Sequence, residues 1–213
     1  MVSHPKPQRD AFQVFDPHQA RTITAAVERI FPADPLGPGA ADAGVAVYID
    51  RALSGHDGDL RVTYRRGVEQ LDEKARAIAA CAFADAPPDV QDGVLAAMER
   101  DEPNLPPTPH GHPFFDTLLA HTREGLFSDP SYGGNRDMIG WKLLGYPGIQ
   151  LHHPPEDFAP GAVLTSERML SLADVGHDLR PGWMDDPGAI IFPHGPADVD
   201  DQDGREDTDG TPA

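Results

Sequence analysis

The run LRVTYRRGVEQLDEKARAIAACAFA, residues 60–84, is the longest regular pattern in the chain. Leu60, Tyr64, Val68, Leu71, Ala75 and Ile78 recur at spacings of three and four, which places them on one face of an α-helix. Arg61, Arg65, Glu69, Glu73 and Arg76 fall opposite. A helix with one apolar and one charged face packs against other helices at a protein surface. The spacing predicts a helix over about Leu60–Ala84, and with it an all-α fold.

Working outward, the same period returns on both sides. Asp16 stands before Pro17 with Gln19 three residues on, the signature of a capped helix start. Ile23, Ala26, Val27 and Ile30 come next on one face, and Phe31-Pro32 ends that helix. The rigid stretch Pro32–Gly39 leads to a second helix, about Ala40–Leu53, with Val45, Tyr48, Ile49 and Ala52 inward and Ser54-Gly55 as its stop. Pro87-Pro88 opens a fourth helix with Val94, Leu95 and Met98 inward. Phe114, Phe115, Leu118, Leu119 and Leu126 mark a fifth. No alternating strand pattern occurs. The expected organisation is a flexible N-terminal arm over 1–14 and a compact multi-helix domain over 15–148. Beyond these, an extended, irregular Pro/Gly-rich arm is expected over 149–196 and a disordered acidic tail over 197–213. Within the irregular arm, a short helix is expected near Thr165–Asp174.

The chain has 213 residues, of which 21 are glycine and 23 proline, so much of it must be loop. Its net charge of −18 repels phosphate backbones and anionic lipid and suits a basic protein partner. Nucleic acid is therefore not expected as a partner. No apolar run is long enough to cross a membrane, so no direct membrane insertion is expected. A single cysteine, Cys81, excludes an intrachain disulfide and a thiolate zinc cluster; in its alanine-rich setting it reads as a small buried hydrophobe.

Standard cofactor signatures are missing. There is no Gly-x-Gly-x-x-Gly, no phosphate-binding P-loop and no Gly-x-Ser-x-Gly. No catalytic, cofactor-binding or metal residue is assigned. The histidines His110, His112 and His121, with His152-His153, lack the spacing of a metal set on one helix. They define the alternative reading: an independent, sugar-acting and metal-assisted enzyme.

The densest mixture of residue types lies at Ser128–Gly148. Gly133-Gly134 permits a turn with positive φ. Asn135 can cap a short helix. Tyr132, Trp141 and Tyr146 offer large contacts with a polar edge, Arg136, Asp137 and Lys142 project around them, and Tyr146-Pro147-Gly148 closes the unit. Tyrosine, tryptophan and arginine often dominate protein contacts. Two readings stand side by side. In one, Trp141 and Leu144 pack the core and Arg136 pairs with Asp137 or a helix end. In the other, these residues meet a partner, and truncating Trp141 or Arg136 weakens assembly more than it unfolds the free subunit. The interface assigned on the second reading is Tyr132, Gly133, Gly134, Asn135, Arg136, Asp137, Trp141, Lys142, Tyr146 and Pro147.

This segment closely resembles the gluconate 2-dehydrogenase subunit 3 family. The resemblance is carried by Ser128–Pro130, Tyr132–Asp137, Gly140–Lys142 and Gly145–Gly148. Glu28–Asp34, Gly37–Ala40 and Tyr48–Leu53 agree with it in the same order. It implies a non-catalytic small subunit that binds, stabilises or helps mature a large flavoprotein of the glucose–methanol–choline (GMC) class. In that class FAD sits in the large subunit, which oxidises a sugar or sugar acid, and in some systems a cytochrome c subunit accepts the electrons. Family members often begin with a twin-arginine export signal, which the N-terminus as written does not show. The expected location is cytoplasmic, or periplasmic where a signal-bearing partner exports the complex.

Overall fold

The computed structural model describes residues 11–101, 113–150, 158–161 and 169–175. Among these the regular structure is helical: α1 (Pro17–Ile30), α2 (Val45–Ser54), α3 (Arg61–Ala79), α4 (Pro88–Asp101), α5 (Phe114–Phe127), α6 (Ile139–Leu144) and α7 (Leu172–Val175). No helix among the described residues is long and apolar enough to cross a membrane.

The α1 start forms as its sequence dictates. The Asp16 carboxylate accepts the N–H groups of His18 and Gln19, and the Gln19 side chain accepts that of Asp16. Two donors left over at the helix end are thereby satisfied. Ile23, Ala26 and Val27 are fully buried and join Val45, Ile49, Leu53, Tyr64, Leu71, Leu118 and Leu126 in one core. Two glycines set the closest approaches between helices. A side chain at Gly125 would meet Val45 and Tyr48, so α5 lies directly on α2. A side chain at Gly67 would overlap the Phe114 ring, so that ring sits on the α3 backbone.

Differences from the sequence reading have local causes. The second helix starts at Val45, because Ala40–Gly44 forms turns and Gly44 holds φ +72° as its cap. Gly55 does end α2, but at φ −116°, outside the left-handed region. The third helix stops at Ala79, not Ala84, and Ala80 takes a left-handed cap at φ 56°. Beyond it Phe83 is fully buried, with its N–H bonded to Asp72 and its carbonyl to Gln91. Tertiary bonding at Phe83 overrides the helix propensity of the alanine run. Ile78, in the last turn of α3, points out, 64% exposed. Cys81 is only partly buried and packs at the core's edge.

The N-terminal arm is tied down at its end. Asp50, completely buried, accepts the N–H groups of Gln13 (2.6 Å), Val14 (2.9 Å) and Phe15 (2.8 Å). The arm expected over 1–14 is therefore held at Gln13 and Val14; residues 1–10 lie outside the described residues. Asp50→Ala strips the acceptor from all three donors and is expected to cost about 3 kcal/mol, read in urea denaturation. Asp50→Asn, which keeps one carbonyl oxygen, should cost less. Downstream, a short helix does occur within the expected irregular arm, but at Leu172–Val175. It is closed by Ser171, whose N–H and hydroxyl both donate to Asp174. Thr165 and Ser166, at the start of the expected helix, and the acidic tail lie outside the described residues.

Candidate functional site

Helix α5 ends with carbonyls that have no partner inside the helix. The segment after it returns to supply them. The backbone N–H of Asn135 donates to Gly125 O at 2.7 Å, and Asn135 Nδ2 donates to Ser128 O at 2.9 Å. Trp141 Nε1 donates to Phe127 O at 2.8 Å. Asn135 Oδ1 in turn accepts Gly140 N at 2.8 Å, holding the start of α6. One fully buried asparagine thus joins the end of α5 to the beginning of α6.

This fit needs bare backbone. A side chain at Gly134 would lie 2.1 Å from Gly125 O, and one at Gly140 would lie 1.8 Å from Leu126 O. Gly133 carries the positive φ, +108°, and lies under the Arg51 side chain. Asn135, Asp137 and Met138 also stand in the left-handed region, at φ 45°, 53° and 58°. Asparagine and aspartate tolerate this conformation; methionine is strained there. Hydrogen bonds on both sides hold the turn, including Arg136 N to Ala43 O at 2.9 Å and Met138 N to Asn135 O at 2.9 Å.

The ten residues assigned from sequence fall into three groups. Gly134, Asn135 and Trp141 are buried and form the cap on α5. Trp141 is 5% exposed, so the core reading holds for it and fails for Leu144, which is 63% exposed. Gly133 and Pro147 are half-buried, and the Pro147 carbonyl accepts from Gln150. Tyr132, Arg136, Asp137, Lys142 and Tyr146 are exposed. The Arg136 guanidinium lies against Gly44, at the start of α2, and so is braced although exposed. Tyr146 sets its ring edge-on to Trp141 at 5.0 Å between centroids.

Sequence reasoning missed an apolar contribution from elsewhere. Glu28 accepts the N–H groups of Ala33 and Ala41, and Asp34 accepts those of Leu36 and Gly37. These bonds build a tight turn with Leu36 at its tip, 87% exposed. Gly37 beside it touches Leu143 of α6, since an added side chain there would meet Leu143 Cδ2 at 2.7 Å. Leu36, Leu143, Leu144 and Tyr146 therefore offer exposed apolar surface on two braced supports that meet. A leucine flanked by Pro35 and Gly37 in a turn was the available signal.

Of the histidines in the alternative reading, the described residues include His121 alone. His121 is buried in α5, with Nδ1 2.8 Å from the Tyr64 hydroxyl and Nε2 3.4 Å from Asp57. His110, His112, His152 and His153 lie outside the described residues. Among the described residues no three His, Cys, Asp or Glu side chains form a group able to hold a metal. Close by, burial and then the charges of Glu124 and Asp57 hold the Tyr64 phenol well above its ordinary value of 10.0. Burial and a 2.9 Å hydrogen bond to Glu124 raise that of Tyr48. Both phenols resist ionisation in the folded state, while in the unfolded chain they ionise near pH 10. Their contribution is thus complete below about pH 10 and is lost as pH rises above it. Denaturation midpoints should fall as pH rises above about 10, less steeply in Tyr48→Phe.

A family model described as Gluconate 2-dehydrogenase subunit 3 matches residues 17–148. No curated protein and no solved structure matches the chain.

Proposed function

Because the chain belongs to the gluconate 2-dehydrogenase subunit 3 family, and so is an accessory subunit of a dehydrogenase complex, we propose that it docks a large FAD-carrying flavoprotein of the GMC class. The docking surface is the exposed half of the α5–α6 region together with the Leu36 turn. The observation that carries this reading is the division of one segment. Its inner residues lock the backbone onto α5, while its outer residues leave leucine and tyrosine in solvent, with Arg136 and Lys142 also exposed. Large apolar side chains held exposed on a braced backbone mark interaction sites.

In this role the chain performs no redox step. The flavoprotein holds FAD and oxidises a sugar or sugar acid, and a cytochrome c subunit is a further partner for the electrons. Stabilisation comes from mass action: a subunit that binds only the folded flavoprotein raises its stability. We place the complex in the cytoplasm, or in the periplasm when the flavoprotein carries the export signal. Co-expression with such a flavoprotein, then affinity capture on this chain, should return a complex with flavin absorbance. A flavoprotein that is soluble and fully active alone and is never captured would overturn the reading.

A further inference from the structure

The segment Gln13–Phe15, the first turn of α1 and the start of α3 enclose a recess of about 440 Å³ that the docking surface does not use. We propose that this recess binds a small polar organic molecule through an oxyanion, a carboxylate or phosphate, held by Arg61 and Arg65. The inference does not rest on the reading of the partner interface.

Charge is the first argument. The chain carries −18, yet among the described residues no carboxylate lines this recess; the polar side chains described there belong to Gln13, Gln19, Ser54, Arg61 and Arg65. Three arginines elsewhere face carboxylates: Arg21 pairs with Asp85, Arg29 with Asp92 and Arg76 with Asp72. Arg61 and Arg65 stand one turn apart on the same face of α3, an arrangement that repels unless an anion lies between or above them. Arg65 has no carboxylate partner among the described residues.

The donors are also oriented. Arg61 Nε donates to Leu53 O at 2.7 Å and Nη2 to Ser54 O at 3.3 Å, which fixes the guanidinium at the end of α2 and leaves its remaining N–H groups unassigned. Gln19 Oε1 is taken by the Asp16 N–H, so its free end is the Nε2 donor. The opposite wall is rigid because Asp50 clamps the N–H groups of Gln13, Val14 and Phe15, and Val14 and Phe15 give it an apolar side. A guanidinium pair recognises carboxylate and phosphate oxygens, and an apolar wall with this volume admits a body of several carbons.

Inorganic phosphate and sodium gluconate, titrated separately into the full chain by calorimetry at constant ionic strength, test the proposal, with sodium chloride as the matched control. Saturable binding of at least one of them in the millimolar range is expected, and the stronger of the two tells phosphate from carboxylate chemistry. Arg65→Ala, an exposed position, should keep the parent melting temperature and weaken binding about tenfold. Arg65→Lys, with a point charge in place of the fork, should recover part of it. The proposal is overturned if neither anion binds beyond the chloride series, or if Arg65→Ala binds as tightly as the parent.

Discussion

Gly140→Ala is expected to lower the melting temperature by roughly 10 °C or more, if the variant accumulates in folded form. The added methyl would lie 1.8 Å from Leu126 O and 2.8 Å from Leu126 C. Both are backbone atoms in the last turn of α5, so no flexible side chain can move aside. Relief requires α6 to move away from α5, and that motion breaks the buried bond from Gly140 N to Asn135 Oδ1. Overpacking together with a lost buried hydrogen bond costs roughly 3–5 kcal/mol. In a domain of this size each kcal/mol shifts the melting temperature by about 2–4 °C. Gly134→Ala, with a methyl 2.1 Å from Gly125 O, should behave alike. Gly93→Ala is the control. It sits in α4 with nothing within 4 Å of an added methyl, so alanine should leave stability unchanged or raise it by up to about 1 kcal/mol. Equal melting temperatures for Gly140→Ala and the parent would show that α6 is not locked on α5.

The contrast between these glycines marks what the sequence can show. Local rules are legible where neighbours in the chain satisfy each other. Asp16 with Gln19 reads as a capped start and is one. The apolar period read as a helix over about Leu60–Ala84 does form one, over Arg61–Ala79. The reading fails where a residue answers to a distant part of the chain. Phe83 is turned inward by Asp72 and Gln91, and the helix ends one turn early, at Ala79. Gly133 and Gly134 look alike as a pair. The first is needed for its positive φ and the second for clearance from Gly125, a requirement that no local pattern encodes.

The candidate site shows the same division. The density of unusual residues at 128–148 is visible in the sequence, but its cause is not. Asn135 reads as the cap of a short helix after it, and it does hold Gly140 at the start of α6; it also satisfies the end of the preceding α5. Trp141 reads equally well as contact or core. Its indole bond to Phe127 O and its burial assign it to the core, so Trp141→Ala is expected to destabilise the free subunit. Leu36 escapes a sequence reading because its exposure depends on Glu28 and Asp34 shaping the turn beneath it.

Replacing Leu36 and Leu144 together by glutamate should abolish capture of the flavoprotein while leaving the free subunit as stable as the parent. The two side chains are 87% and 63% exposed, so neither contributes much to the core, and surface changes of this kind stay within about 0.5 kcal/mol. At an interface the balance reverses. Each leucine would lose its apolar contact, and each glutamate would place a charge in a site emptied of water. Interface anchors cost about 2 kcal/mol or more apiece, so affinity should fall by at least about 100-fold. Neighbouring charge gives a check on the mechanism. Arg136→Glu reverses an exposed cation on the same segment, so it should slow association and make capture more salt-dependent, without the full loss. Free-subunit melting, pull-down yield and association rate separate these effects. Undiminished capture by the double variant would place the docking surface elsewhere on the chain.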